Sequence, residues 1–186
     1  MMTRLTFLCH GATEANRQAR FPLDEPLEER ARTAAEALAA RLPRADCVLT
    51  SPALRARQTA NALGLTAVVA PELADCDYRR WTGQSITAIG EAEPDALVAW
   101  MSDVEAAPHG GESIAALHAR LVPWMAAQST RGGHTIAISH APVIRAAMLI
   151  ALQAPLSSFW HIDVEPLSAV HMTSNGHRWS LRFDRV

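Results

Sequence analysis

The sequence contains no lysine, and all 17 of its basic residues are arginines. A chain without lysine cannot form a Schiff base with a carbonyl substrate, and it has no lysine ammonium to bind a nucleotide phosphate. Schiff-base catalysis and Walker-type nucleotide hydrolysis are therefore excluded. Arginine remains well suited to phosphate, because its planar fork donates two parallel hydrogen bonds to phosphate oxygens.

Cysteine is scarce, and long apolar runs are missing. The three cysteines, Cys9, Cys47 and Cys76, are an odd number without paired spacing, which argues against a disulfide framework and is typical of a reducing compartment. The longest apolar run, at 146–152, is too short to span a bilayer. Residues 1–10 lack the basic and apolar segments of a secretory signal. We expect a cytoplasmic protein with no membrane partner.

The charge balance gives no sign of a nucleic-acid partner, because the formal net charge is only −2. The eight histidines show no spacing typical of metal ligands, so we expect no metal and no cofactor. Hydrophobic residues make up 49% of the 186 positions and charged residues 19%, which is enough to bury a core. The length predicts a single domain at 1–186.

The apolar pattern alternates between short strands and helical segments. Strands are predicted at 5–9, 46–50, 66–70 and 134–139, and Ser51 and Pro52 are predicted to begin a helix. The tail at 168–183 alternates around Asn175-Gly176, which is typical of a hairpin. The predicted fold class is α/β, with three α/β/α layers, a mostly parallel central sheet and an antiparallel C-terminal hairpin.

Histidines and arginines follow the predicted strands directly. His10 and Gly11 follow the first strand, Arg55 comes shortly after the second, and His140 follows the fourth. In open α/β sheets the carboxyl ends of the strands are where ligands bind. Histidine can act as a nucleophile or carry a proton, and arginine binds phosphate oxygens. The sequence therefore predicts a phosphate site at this edge of the sheet.

These residues stand in motifs that resemble those of the histidine phosphatase superfamily, also called phosphoglycerate-mutase-like. The resemblance runs in one consistent order over roughly residues 4–173. The blocks that carry it are His10-Gly11 with Thr13 and Asn16, Ser51-Pro52 with Arg55-Ala56 and Gln58-Thr59-Ala60, Asp75 with Trp81 and Gly83, Gly111-Glu112-Ser113, and Ser139-His140 with Val143-Ile144-Arg145.

The resemblance implies a role for each matched residue. His10 would attack phosphorus and become a phosphohistidine, an acid, here Asp75, would protonate the leaving oxygen, and His140 would bind the phosphoryl group. No metal would be needed, because arginine and histidine donors supply the positive charge. The candidate phosphate-binding residues are Arg55, Asn16, Arg17 and Gly11. Arg145, one turn into its helix, is interpreted instead as a structural ion-pair partner.

The sequence departs from the family at two positions. Cys9 stands where the family has an arginine before the nucleophile, and Asp75 stands where it has a glutamate. Removing one preorganised donor costs about 10²–10³-fold in rate. We therefore expect reduced activity and expect Cys9→Arg to raise kcat/KM about tenfold, unless Arg79 or Arg80 already fills the vacancy. Glu112 is the reserve candidate for the proton donor.

The leading interpretation is a metal-independent phosphatase that hydrolyses a small phosphomonoester through a phosphohistidine intermediate. The first alternative is a weakly active or inactive relative that binds a phosphorylated ligand or a protein, because Cys9 removes a permanent charge. The second is a phosphotransferase of the phosphoglycerate mutase type, although the sequence lacks the long insertions of the glycolytic mutases. A homodimer is compatible with the sequence.

Overall fold

The computed structural model of the chain describes residues 2–183, which form a mixed six-stranded sheet flanked by helices. The order of the strands across the sheet is β3-β2-β4-β1-β5-β6. Their bounds are β1 Thr3–Cys9, β2 Cys47–Thr50, β3 Val68–Val69, β4 Gly133–Ser139, β5 Ala169–Ser174 and β6 Trp179–Arg182. The first four strands along the chain are parallel, and β5 and β6 form the antiparallel hairpin. The predicted fold class is confirmed.

Helices connect the parallel strands and cover both faces of the sheet. Their bounds are α1 Glu14–Arg17, α2 Glu29–Leu38, α3 Leu54–Ala62, α4 Ile86–Ala92, α5 Pro94–Ser102, α6 Ile114–Ser129 and α7 Ala141–Leu152. Short 3₁₀ segments lie at Ala39–Arg41, Pro71–Leu73, Arg79–Trp81 and Leu156–His161. Within residues 2–183, no helix combines the length and the apolar character that crossing a membrane requires.

The two faces of the sheet bury different apolar clusters, because side chains alternate along each strand. On one face Leu8 packs with apolar residues of α2 and α3. On the other face Phe7 and Cys9 pack with residues of α6 and α7, and the Phe7 ring lies 5.7 Å from that of Trp124. The side chain of residue 9 therefore points toward α7, and this direction matters for the site.

Two local predictions need correction. The strand expected at 66–70 is only Val68–Val69, whose side chains are exposed at the edge of the sheet. The helix expected to begin at Ser51 begins at Leu54, with Ala53 at the N-cap position. Ser51 is fully buried, and its hydroxyl is shared between the Ala53 N–H, at 3.2 Å, and the His140 ring, at 2.7 Å. The serine therefore holds an imidazole instead of capping the helix.

Candidate active site

The parallel pairing of β1 with β4 brings His10 and His140 together. Cys9 and Ser139 are partners at the carboxyl ends of these strands, so the next residue of each strand lies at the same edge. The His10 N–H donates to the Ser139 carbonyl at 2.9 Å, and the two imidazole centroids are 5.0 Å apart. Both rings are buried. The strand-end prediction thus locates both histidines at one site.

The His10 ring is held in an orientation that leaves a lone pair on Nε2. Nδ1 lies 2.7 Å from the Gly11 carbonyl, which only accepts, so Nδ1 carries the proton. Nε2 accepts from Arg55 Nε at 3.3 Å. Burial, with smaller contributions from His140 and Arg55, lowers the pKa of His10 to about 3. The imidazole is therefore neutral near pH 7, and its Nε2 lone pair can act as a nucleophile once Arg55 donates to another acceptor.

Arg55 is the positive centre of the site. It lies in the first turn of α3 and is 3% exposed. Its guanidinium donates to His10 through Nε, to the Leu23 carbonyl through Nη1 at 2.9 Å, and to Asp75 Oδ2 through Nη2 at 2.6 Å. Three fixed partners orient the fork, which is the geometry that matches carboxylate or phosphate oxygens.

Asp75 lies between Arg55 and His140. Its Oδ1 accepts the Cys76 N–H at 2.8 Å, and its Oδ2 lies 3.3 Å from His140 Nδ1 in addition to its contact with Arg55. Burial lowers the pKa of His140 well below its ordinary value, and the charges of Arg55 and Arg120 lower it further. His140 is therefore a neutral hydrogen-bonding group next to a carboxylate.

A cavity of about 270 Å³ opens onto these groups. The polar residues that line it are His10, Thr13, Asn16, Arg20, Asp75, Tyr78, His140 and Arg145. A second cavity, of about 330 Å³, shares Asp75 and Tyr78 with the first and is also lined by Ser51 and Arg55. Asp75 can therefore reach groups in both spaces, as a proton donor to a leaving group must.

Some of the predicted phosphate ligands have other roles. Gly11 is buried, and its N–H donates to Thr59 Oγ1 at 3.0 Å, so its carbonyl rather than its N–H serves the site by orienting His10. Asn16 lines the first cavity, while its Oδ1 accepts the Thr13 N–H at 3.0 Å in the capping box of α1. Arg17 lies on the surface, 2.9 Å from Glu28, and does not line the cavity.

The reserve candidates Glu112 and Arg79 lie outside the cavity of His10. Arg120 holds Glu112 by two contacts of 2.8 and 2.9 Å. Arg79 is exposed and pairs with Asp77 at 2.9 Å. The Asp75 position, by contrast, places a carboxylate against both Arg55 and His140.

Cys9 is buried beneath the site. Burial raises the pKa of its thiol to about 12, with Asp75 adding to the effect, so the thiol stays protonated at neutral pH. Only the thiolate is a strong nucleophile. Cys9 is therefore a small apolar side chain here, as its position at a strand end indicates.

Two side chains at this edge make contacts that the sequence does not indicate. Ser51, expected as a helix cap, binds the His140 ring. Arg145, expected as a structural ion-pair partner, pairs with the fully exposed Asp163 at 3.5 Å and also lines the cavity. The place of Arg145 on the cavity agrees with the tendency of helical side chains to lean toward the N-terminus of their helix, where His140 lies.

A larger cavity, of about 850 Å³, lies at the opposite end of β1, beside Arg4 and His134. The His134 ring is satisfied there by the Thr6 hydroxyl at 2.9 Å and the Arg44 carbonyl at 2.8 Å. No carboxylate of the described part of the chain lines this space, so it lacks the proton donor that the first cavity contains. We therefore assign the chemistry to the smaller cavity.

Comparison with known proteins connects this geometry to a family. The model of the histidine phosphatase superfamily (branch 1) matches residues 5–184. A glucosyl-3-phosphoglycerate phosphatase of Mycolicibacterium vanbaalenii is 32% identical over 177 residues, covering 84% of this chain and 77% of that protein. A bifunctional protein of Mycobacterium tuberculosis is 29% identical over 187 residues. The 187 aligned residues cover 94% of this chain but only 51% of the bifunctional protein. The chain therefore spans about half the length of that relative.

The chain is also similar to solved structures of a mycobacterial hydrolase and a mycobacterial phosphatase. The structure titled mycobacterial hydrolase 1 has a TM-score of 0.88 at 28% identity, with 98% of each chain covered. A mycobacterial glucosyl-3-phosphoglycerate phosphatase in complex with VO3 has a TM-score of 0.87 at 29% identity, with 96% of each chain covered.

The buried neutral His10 makes folding stability depend on pH. An unfolded imidazole has a pKa of about 6.5, whereas that of folded His10 is about 3. Below pH 6.5 the imidazole of residue 10 is protonated in the unfolded chain but stays neutral in the folded chain. The free energy of unfolding therefore falls as the pH falls toward 3. Between pH 7.5 and 5.0, His10 alone lowers it by about 2 kcal/mol. His140 acts in the same direction.

Urea unfolding at pH 7.5 and 5.0 measures this effect. His10→Asn should reduce the loss of stability between the two pH values by about 2 kcal/mol. The control is His177→Asn at an exposed turn outside the site, which should leave the loss unchanged. Equal losses in wild type and His10→Asn would contradict a neutral buried His10.

Proposed function

The chain belongs to the histidine phosphatase superfamily (branch 1), and on that premise we propose that it hydrolyses a small phosphomonoester through a phosphohistidine on His10. The observation that carries the proposal is the state of the His10 ring. Its Nδ1–H is held by the Gly11 carbonyl, and its Nε2 lone pair lies against Arg55 on the wall of a cavity. A neutral imidazole fixed in this way needs no base to activate it.

In the first step, His10 Nε2 forms a bond to phosphorus and the bond from phosphorus to the leaving oxygen breaks. Once the phosphoryl group has taken over the contact with Arg55, Asp75 acts in its protonated form and gives its proton to that oxygen, so the alcohol leaves neutral. Arg55 and His140 donate to the phosphoryl oxygens, where negative charge is concentrated in the transition state. Charge stabilisation thus comes from side chains already in place.

In the second step, water attacks the phosphohistidine. The Asp75 carboxylate takes a proton from the water, the new bond from oxygen to phosphorus forms, and the bond from phosphorus to Nε2 breaks. Inorganic phosphate leaves, and both His10 and Asp75 return to their starting states. The same carboxyl group acts as acid and then as base, as reversal of one proton path requires.

The substrate class we propose is a small phosphorylated metabolite. The two cavities, of about 270 and 330 Å³, meet at Asp75, which provides space for a phosphoryl group and a leaving group of modest size. Relatives named glucosyl-3-phosphoglycerate phosphatase support a small phosphorylated substrate.

A second candidate function is that of a phosphate-ligand binding module, which the cysteine at position 9 favours. Cys9 removes a permanent charge beside His10, and binding tolerates such a loss better than catalysis, which requires the donors to match the transition state. Measuring phosphate release distinguishes a phosphatase from a phosphate-ligand binding module.

The first test is phosphate release from an aryl phosphate with excess EDTA. The wild type should turn over without added metal, and His10→Ala should lose at least about 10³-fold in kcat because the covalent path is removed. His161→Ala, at an exposed position, is the matched control and should match wild type. No phosphate release by a folded wild type that still binds phosphate would favour the binding module.

The second test assigns the acid, and it uses an alkyl phosphate because a poor leaving group needs a proton. Asp75→Asn should reduce kcat/KM about 100-fold on the alkyl phosphate and less on an aryl phosphate. Glu112→Gln, which keeps a hydrogen-bonding side chain toward Arg120, should change both by less than about threefold. The reverse pattern would make Glu112 the proton donor.

A further inference from the structure

The cavity of about 850 Å³ at the opposite end of β1 carries positive charge only, among the residues that the structure describes. Three arginines line it, Arg4, Arg41 and Arg182, and no described aspartate or glutamate does. The chain as a whole has 19 acidic residues against 17 basic ones, so this cavity departs from the average surface. A concave surface with charge of one sign concentrates ligands of the opposite sign. We call this space the arginine cavity.

The strand register explains why the three arginines meet. Arg4 of β1 is the partner of Thr173 in β5, and Arg182 of β6 is the partner of His171 in β5. Neighbouring strands lie about 4.8 Å apart, and alternate residues of a strand share one face of the sheet. Arg4 and Arg182 therefore stand on the same face, two strands apart. Arg41 lines the same space from the 3₁₀ segment that follows α2.

The histidines of the arginine cavity are joined through Thr6. His134 Nδ1 lies 2.8 Å from the Arg44 carbonyl, which only accepts, so Nδ1 carries the proton. The Thr6 hydroxyl lies 2.9 Å from His134 Nε2 and 2.9 Å from His171 Nδ1. With a neutral His134, this hydroxyl donates to Nε2, and its oxygen accepts the Nδ1–H of His171. These hydrogen bonds orient both imidazoles in the wall and add no negative charge to balance the arginines.

The three arginines are available to a ligand. Within residues 2–183, none of Arg4, Arg41 and Arg182 forms an ion pair with a carboxylate. All three residues are exposed. A ligand can therefore replace water at these guanidiniums without breaking an ion pair to a described residue.

We propose that the arginine cavity binds a small organic anion with two or more negatively charged groups. Its volume lies within the range of about 300–1,000 Å³ that is typical of small-molecule sites. Leu38, Leu42 and Pro43 line the same space and would contact the carbon body of the ligand. Organic phosphates and polycarboxylates share this chemistry, because the arginine fork matches both kinds of oxygen pair.

This site is separate from the one assigned to catalysis. Among the described residues, the arginine cavity shares no lining side chain with the cavity of His10. Binding there goes beyond the proposed hydrolysis and does not depend on it.

Isothermal titration calorimetry of the wild type with two probes tests the proposal. One probe is citrate, a tricarboxylate, and the other is the methylene analogue of adenosine diphosphate, which a phosphomonoesterase cannot hydrolyse. At least one probe should bind at low salt with a Kd below about 1 mM. Raising the salt to about 0.25 M should weaken that binding at least about fivefold, because the contacts are exposed charges. The tighter probe identifies the ligand as a polycarboxylate or an organic phosphate.

Variants locate the probe in the arginine cavity. Arg4→Gln and Arg182→Gln should each weaken binding at least about fivefold, because each removes a charge-assisted hydrogen bond. The matched control is Arg178→Gln, which removes an exposed arginine of the same hairpin that does not line the cavity. Arg178→Gln and His10→Ala should both stay within about twofold of wild type. Urea midpoints show that each variant is folded.

Three results would overturn the proposal: neither probe binds the folded wild type, the Arg178→Gln control loses as much affinity as Arg4→Gln and Arg182→Gln, or His10→Ala abolishes the binding. A hexaglutamate peptide that binds where both small probes fail would also overturn it, because the cavity would then belong to a docking surface for an acidic protein segment. The titrations involve no turnover, so a wild type that releases no phosphate contradicts the proposed function and leaves this inference to be decided by binding.

Discussion

The guanidinium of Arg55 connects the groups on which the chemistry depends. It donates to His10 Nε2, Asp75 Oδ2 and the Leu23 carbonyl, and so joins the end of β1, the start of α3 and two loops. A buried cation needs such partners, because removing one would leave charge unpaired in the interior. Its charge also helps to keep both site histidines neutral, since it lowers the pKa of His10 and of His140. A neutral imidazole and a permanent cation thus lie within hydrogen-bonding distance of each other.

Sheet topology explains why these groups meet. β1 and β4 are adjacent and parallel, in a register that pairs Cys9 with Ser139, so the two histidines come from residues 130 positions apart yet lie side by side. The alternation of side chains then directs residue 9 toward α7, and Cys9 does not line the cavity of His10.

The fold class and the meeting of the two histidines followed from the sequence, because the ends of parallel strands converge and His10 and His140 stand directly after β1 and β4. Arg55 lies farther on, in the first turn of α3 after β2. The positions of surface arginine side chains were harder to predict. Arg17 pairs with Glu28 and Arg79 pairs with Asp77, and the position of a residue after a strand does not indicate either ion pair. Ser51 was misassigned because a serine before proline is also a common helix start. Its bond to His140 depends on a contact across 89 positions, which local propensity cannot indicate.

Locating the phosphoryl group during turnover tests the central claim most directly. The chain is mixed with an aryl phosphate, quenched in alkali, digested with trypsin and sequenced by tandem mass spectrometry. Because the chain has no lysine, cleavage after Arg4 and Arg17 releases 5–17, in which His10 is the only histidine. A phosphoryl group on His10 that survives alkali and is lost in acid is the predicted result. Turnover without it, or with the phosphoryl group on Cys9 or another residue, would contradict the phosphohistidine mechanism.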